Sequence, residues 1–242
     1  MFLINKVFEN DSVFIFDKPA GLVINRSDTT PSGTLQDYIE ENFNLDLIGG
    51  SEFCSRSGIV HRLDKDTSGV ILVAKSEEAF LYLKSQFQNR TVHKEYVALV
   101  HGKITDKLIK INAPIKRNPT NRMKMGVTPT GRPALTDIEL VGEVKIPDCG
   151  LQEFSLLKAF PKTGRTHQIR VHLSALNHPV VGDKIYSTRK QLDSISDYFG
   201  RMMLHAHKIT FRLPVNQETV TYEAPLPKKF LDLPMYKNYS NP

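Results

Sequence analysis

His61-Arg62-Leu63-Asp64-Lys65-Asp66-Thr67-Ser68-Gly69 places two carboxylates, two cations, a histidine and a turn glycine within nine residues. Apolar strand-like runs flank the stretch, Gly58-Ile59-Val60 before it and Val70-Ile71-Leu72-Val73-Ala74 after it. Runs of this kind read as buried strands. A dense polar cluster between two of them sits at the rim of a core, where side chains are held rigidly enough to do chemistry.

Working outward, Val13-Phe14-Ile15-Phe16 reads as a strand broken by Lys18-Pro19-Ala20-Gly21. Thr34 to Phe43 is expected to be a short helix. Ser76 is a helix N-cap, with Glu77 and Glu78 in the positive first turn and Arg90 near the far end; Phe80, Leu83 and Phe87 then recur at helical spacing and face the core. Lys94–Val100 is a strand with Tyr96, Ala98 and Val100 on one face. Further strands are expected at Asp137–Val144, Gln152–Phe160, Met203–Leu213 and Thr219–Ala224. Gly164–Asn177 reads as a helix with Ile169, Leu173 and Leu176 on one stripe, ended by His178-Pro179. Strands outnumber helices and do not alternate with them. The expected class is therefore α+β, a mixed, mostly antiparallel sheet with flanking helices, rather than a doubly wound parallel sheet.

Composition bounds the function. The 242 residues are 40% hydrophobic and 24% charged, ordinary for a globular chain. No apolar run approaches the ~20 residues of a membrane span, and the N-terminus is charged too early for a signal peptide. Cys54 and Cys149 form no CxxC pattern, which points to a reducing, cytoplasmic setting. No GxGxxG or GxxxxGK[ST] occurs, so no nucleotide cofactor is expected. Net charge is +6, and its distribution is uneven. Lys107 to Thr136 contains no acid and seven cations: Lys107, Lys110, Lys116, Arg117, Arg122, Lys124 and Arg132. A second acid-free span, Lys158 to Gly182, carries Lys158, Lys162, Arg165 and Arg170 with three histidines. Positive charge concentrated in this way suggests a polyanion, with nucleic acid first.

A lone Asp64 beside Arg62 and Lys65 would ordinarily be a surface ion pair. Two other features raise it: the polar-rich stretch Gly164–His172, and Tyr96, a phenol inside an apolar strand that needs a partner when buried. An aspartate, a tyrosine and an arginine from separate elements are expected to converge as one site.

At these residues the chain resembles the RluA-type pseudouridine synthases. His61–Gly69 is similar to the family's HRLDxxTSG signature, and Asp17–Leu22 to its NKPAGL element, with Asp17 in place of the usual Asn. Lys94–Val100 resembles KxYxAxV, Gly164–His172 resembles GRTHQIRVH, His178–Asp183 resembles HPxxGD, and Leu204-His205-Ala206 resembles a late LHA element. The matches run in family order and cover nearly the whole chain. The resemblance implies the pseudouridine synthase fold with a central catalytic cleft, and isomerisation of uridine to pseudouridine in rRNA or tRNA. It makes Asp64 the catalytic carboxylate, acting on the sugar or on a ribose proton. It pairs Arg165 with Asp64, stacks Tyr96 on the base as a candidate for proton transfer at carbon 5, and places Ile169 as an apolar wall to the uracil.

The target uridine has to leave its stack to reach a recessed carboxylate. Arg62 is expected to fill the vacated space or hold the flipped backbone, with a phosphate contact or plain ion pair as the alternatives. His61 is grouped with the substrate-binding residues. The polar loop Pro114–Gly126 is expected to grip phosphates through Lys116, Arg117, Arg122 and Lys124. Asp66 to Gly69 read as turn scaffolding. His205-Ala206-His207 and the His61–Asp66 cluster follow no known metal spacing, so no metal is expected. The NKPAGL-like element begins by Asp17, from which one catalytic domain without a separate N-terminal RNA-binding domain is expected, acting as a monomer. Two other readings use the same residues: an N-glycosylase or glycoside hydrolase working through Asp64 and Asp66, and a non-catalytic RNA-binding protein.

Overall fold

The computed structural model describes residues 2–146, 152–193 and 195–237. Cys149 lies outside them. Along the chain the elements are β1 (Asn5–Glu9), β2 (Val13–Lys18), α1 (Leu35–Asn42), α2 (Glu52–Ser55), β3 (Ser68–Ala74), α3 (Glu77–Gln88), β4 (His93–His101), β5 (Leu108–Asn112), β6 (Ile115–Arg117), β7 (Met125–Val127), β8 (Leu135–Lys145), β9 (Glu153–Pro161), α4 (Gln168–Ala175), α5 (Arg189–Asp193), α6 (Ser196–Phe199), β10 (Leu204–Arg212), β11 (Thr219–Glu223), α7 (Lys228–Leu231) and α8 (Pro234–Lys237). The chain divides into two compact units, residues 1–94 with 206–225, and residues 95–205 with 226–242.

In the first unit the strand order is β1-β2-β3-β10, with β11 paired to β10. The β1·β2, β2·β3 and β10·β11 ladders are antiparallel. Every residue of β3 is buried, which explains its unbroken apolar run: a strand covered on both faces has no polar side to alternate with. Gly69, the second residue of β3, has φ +116°, and a Cβ there would come within 2.1 Å of the Ala206 carbonyl oxygen, so only glycine admits this approach of β10. Ser76 caps α3 by accepting from the Ala79 N–H at 3.2 Å, and Ala79, Phe80, Leu83 and Gln86 are the buried face. The Gln86 side chain exchanges two hydrogen bonds with the Arg212 backbone, fixing α3 to the end of β10. Thr34 and Asp37 form a reciprocal capping box at α1.

In the second unit the order is β4-β9-β8-β5, antiparallel throughout, with a bulge in β8 between Leu140 and Gly142. The second half of β4, from Val97 to His101, is buried on both faces. Val97 and Leu99 join a cluster with Phe154, Leu156 and Phe230. Ala98 and Val100 join another with Leu157, Ala159, Ile169 and Leu173. Each fully buried Leu or Phe contributes roughly 1.5–3 kcal/mol. The α+β class expected from the strand count is the one found.

Two local expectations need correction. The helix after Gly164 begins at Gln168, not at Gly164, because His167 takes a left-handed conformation at φ +56° and the preceding residues form a turn. It ends at Ala175, and Leu176 is its cap, 37% exposed rather than core. The stretch Pro114–Gly126 is not a loop throughout: β6 and β7 pair within it as an antiparallel hairpin.

Candidate active site

Asp64 sits in the first unit on an excursion from β3. The base of the excursion is closed by the Ile59–Val73 bridge and by the Ala74 N–H donating to the Gly58 carbonyl at 2.8 Å. Leu63 and Thr67 are buried on either side, and the Thr67 N–H donates to the Asp64 carbonyl at 3.1 Å, closing a turn. Asp64 itself is half-buried, whereas Arg62, Lys65 and Asp66 are exposed.

A buried lysine holds this loop. Lys18 is 0% exposed, and its ammonium donates to the carbonyls of Pro19, Leu22 and Lys65 at 2.8, 2.9 and 3.0 Å. The Gly21 N–H adds a second bond to the Lys65 carbonyl at 2.8 Å. The Lys-Pro-Ala-Gly-Leu turn is thereby tied to the residue next to Asp64. Nothing in the sequence pattern alone assigned Lys18 a task, although a lysine closing an apolar strand is itself a signal of a buried, partnered cation. Lys18→Met keeps the length and leaves these carbonyls short of a donor. It is expected to cost about 2–4 kcal/mol, read as a lowered urea midpoint at unchanged slope.

His61 serves the same loop. Its Nε2 accepts the Leu72 N–H at 3.0 Å, and its ring stacks on Phe87 at 4.8 Å. Burial, with Lys94 and Arg56 adding to it, holds the imidazole pKa down to about 3, so the ring is a neutral acceptor. Burial likewise lowers His101 to about 4. His172 is lowered by burial, opposed by its bond to the Ala113 carbonyl. Such groups take up a proton on unfolding, near the ordinary pKa of ~6.5. Stability is therefore full above that pH and falls as the pH drops towards the folded values. Between pH 7 and pH 5 the loss is expected to be about 1–2 kcal/mol for each of His61 and His101. His61→Gln should flatten the decline in urea-unfolding free energy; parallel declines in variant and parent would remove His61 as a source.

Tyr96 and Arg165 belong to the second unit. Tyr96 is half-buried on β4 opposite Ala159 and packs against the apolar cluster that contains Ile169 of α4. The structure thus brings Tyr96 and Ile169 to one cluster. Arg165 lies three residues before α4 in a turn organised by Gln168. The Gln168 Oε1 accepts from the Arg165 N–H at 3.0 Å and from the Thr163 hydroxyl at 2.6 Å, while its amide donates to the Leu135 carbonyl and Thr136 hydroxyl. The Arg165 Nε donates to the Pro133 carbonyl at 3.1 Å. These two bonds fix where the planar Arg165 guanidinium is held beside the turn. Gln168 was not read from sequence as part of the site.

The basic hairpin β6–β7 is in the same unit. Its tip is shaped by asparagine turns: Asn118 Oδ1 accepts from Thr120 and Asn121, and Asn121 Oδ1 from Met123. The Arg117 guanidinium donates to the Arg122 carbonyl. Lys116 and Arg122 are exposed, Lys124 is half-buried, and Met123 at the tip is 72% exposed.

One unit holds a half-buried carboxylate on a braced loop; the other holds an apolar cluster with Tyr96 and Ile169, an anchored arginine and a basic hairpin. Residues 12–175 match the RNA pseudouridylate synthase family. The chain belongs to the RNA pseudouridine synthases. It is 38% identical over 226 residues to an uncharacterized RNA pseudouridine synthase, YlyB, of Bacillus subtilis, covering 93% of this chain and 70% of that one. It is 39% identical over 227 residues to ribosomal large subunit pseudouridine synthase D of Nitrosomonas europaea, covering 91% of this chain and 61% of that one. Among solved structures, human RNA pseudouridylate synthase domain containing 1 aligns with a TM-score of 0.72 at 30% identity, over 93% of this chain and 84% of that one. The pseudouridine synthase fold and the isomerisation of uridine in RNA follow from this membership. Among the described residues of this synthase, no helix is long and apolar enough to cross a membrane.

Proposed function

We propose that this pseudouridine synthase modifies large-subunit ribosomal RNA, with Asp64 as its catalytic carboxylate. The single observation that carries the assignment to Asp64 is its place on the loop that Lys18 and His61 brace. Asp66, two residues on, is exposed and unsuited to the second carboxylate of a hydrolase. In this reading the bond from ribose carbon 1′ to uracil nitrogen 1 breaks, and Asp64 stabilises or captures the electron-poor sugar or withdraws a ribose proton. The uracil turns between Tyr96 and Ile169, and carbon 5 bonds to carbon 1′. The proton leaves carbon 5 and nitrogen 1 regains one, with Tyr96 as the relay. Arg165 orients the Asp64 carboxylate through its planar fork. Arg62 fills the gap left by the extruded nucleotide or holds its backbone, His61 keeps the loop in shape, and the hairpin cations hold phosphates.

The ribosomal target is supported by the relatives that are named for the large ribosomal subunit. The two units act together as one catalytic domain, a cytoplasmic monomer without a cofactor. Pseudouridine mapping across all cellular RNA, with and without the gene, tests the target. The expected result is loss of pseudouridine at positions in large-subunit rRNA alone. Loss confined to transfer RNA would overturn it.

A further inference from the structure

The basic hairpin and the turn that carries Arg165 are joined by one side chain that neither the family reaction nor the phosphate-gripping role uses. The Tyr186 hydroxyl accepts the Met125 N–H of β7 at 2.9 Å and shares a 2.9 Å hydrogen bond with Nδ1 of His167. Met125 follows the hairpin tip directly. His167 is two residues beyond Arg165 and is the left-handed cap from which α4 starts. One phenol oxygen therefore touches both the arm and the catalytic turn.

The surroundings make this link stiff. The Tyr186 ring stands 5.1 Å from the Arg170 guanidinium, and Arg170 is locked in a buried two-pronged pair with Asp183 at 2.6 and 2.9 Å. Asp183 Oδ1 also accepts the N–H groups of Ile185 and Tyr186, fixing the backbone that presents the phenol. Ile115 of β6 and Val171 of α4 share a buried cluster against which Met125 and Tyr186 pack. Nε2 of His172, on α4, bonds the Ala113 carbonyl at the root of the hairpin at 2.9 Å. The hairpin is thus a rigid arm mounted on α4 and not a free loop, and Tyr186 is the polar joint at its catalytic end.

We propose that Tyr186 is a positioning residue that transmits RNA docking on the β6–β7 hairpin to the Arg165 turn. The proposal rests on the reading that the hairpin holds RNA and that Arg165 serves Asp64. Phosphates drawn onto Lys116, Arg122 and Lys124 load the hairpin, and the phenol oxygen carries that load to His167. The productive setting of Arg165 is then reached only on correctly seated RNA.

Tyr186→Phe removes the oxygen and keeps the ring on Arg170. His167→Gly removes the imidazole partner and suits the left-handed backbone. Both are compared with the parent on unmodified large-subunit rRNA transcripts tritiated at uridine carbon 5, which release tritium as pseudouridine forms. The expected result is a fall of about tenfold in the saturating single-turnover rate of Tyr186→Phe, with RNA affinity and its salt dependence within twofold of the parent. The Tyr186→Phe/His167→Gly double variant should be no slower than the slower single one, as two ends of one link require. Amide hydrogen exchange in residues 163–169 should slow on RNA binding in the parent and not in Tyr186→Phe. A parent-like rate, or losses of rate and affinity in equal proportion, would overturn the proposal. If the parent releases no tritium, the enzymatic reading fails, and the exchange measurement alone decides whether the link exists. RNA-induced protection of 163–169 that persists in Tyr186→Phe then refutes it.

Discussion

Asp64→Asn is expected to lower the single-turnover rate of pseudouridine formation by on the order of 10⁴-fold or more, while RNA affinity stays within a few-fold of the parent. The substitution keeps size and removes the charge. The Asp64 turn is closed by the backbone bond from Thr67 and braced by Lys18 and His61, and none of these bonds runs through the carboxylate. The fold should therefore survive, and a thermal midpoint within a few degrees of the parent would confirm that lost activity is lost chemistry. Appreciable turnover by the variant would move the catalytic carboxylate elsewhere. Released free uracil in the parent reaction would mark a glycosylase instead.

The second large effect concerns the hairpin. Replacing Lys116, Arg122 and Lys124 together by glutamine is expected to weaken RNA binding by about 10²-fold at moderate salt. The slope of log affinity against log salt should become shallower by about 2–3, roughly 0.7–0.9 for each phosphate no longer neutralised. Arg117 is left out of this set because its guanidinium already supports the Arg122 carbonyl, so its removal would disturb the loop as well as the charge. The effect should be equal on matched and unmatched RNA sequences, since phosphate contacts position without reading bases. An unaltered salt slope would place the RNA track on another surface.

The sequence and the structure agree where periodicity is strong. β4 was legible because Tyr96, Ala98 and Val100 alternate with a second apolar set, and α3 because a serine cap precedes Phe80 and Leu83. The hairpin was not, because its paired segments are three residues long and carry little apolar pattern; what holds them is the packing of Ile115 and Met125 on α4. The start of α4 was misplaced because a left-handed histidine leaves no mark in composition. Asp64, Tyr96 and Arg165 were nominated from motifs, but the residues that hold their surroundings were not. Lys18 reaches Lys65 across 47 positions and Tyr186 reaches Met125 across 61, and local pattern has no access to pairings of that range.

The order of strands in the first unit also sets a schedule for synthesis. β3, buried along its whole length, needs β10 beside it, and β10 is made about 130 residues later. At about 5–20 residues per second the ribosome takes roughly 6–26 s to supply it. Throughout that interval the nascent chain carries an uncovered apolar strand edge, the kind of surface that seeks pairing with other chains. Crowded polysomes and fast overexpression should therefore yield insoluble protein, and a chaperone that shields residues 68–74 until β10 emerges should restore the soluble yield.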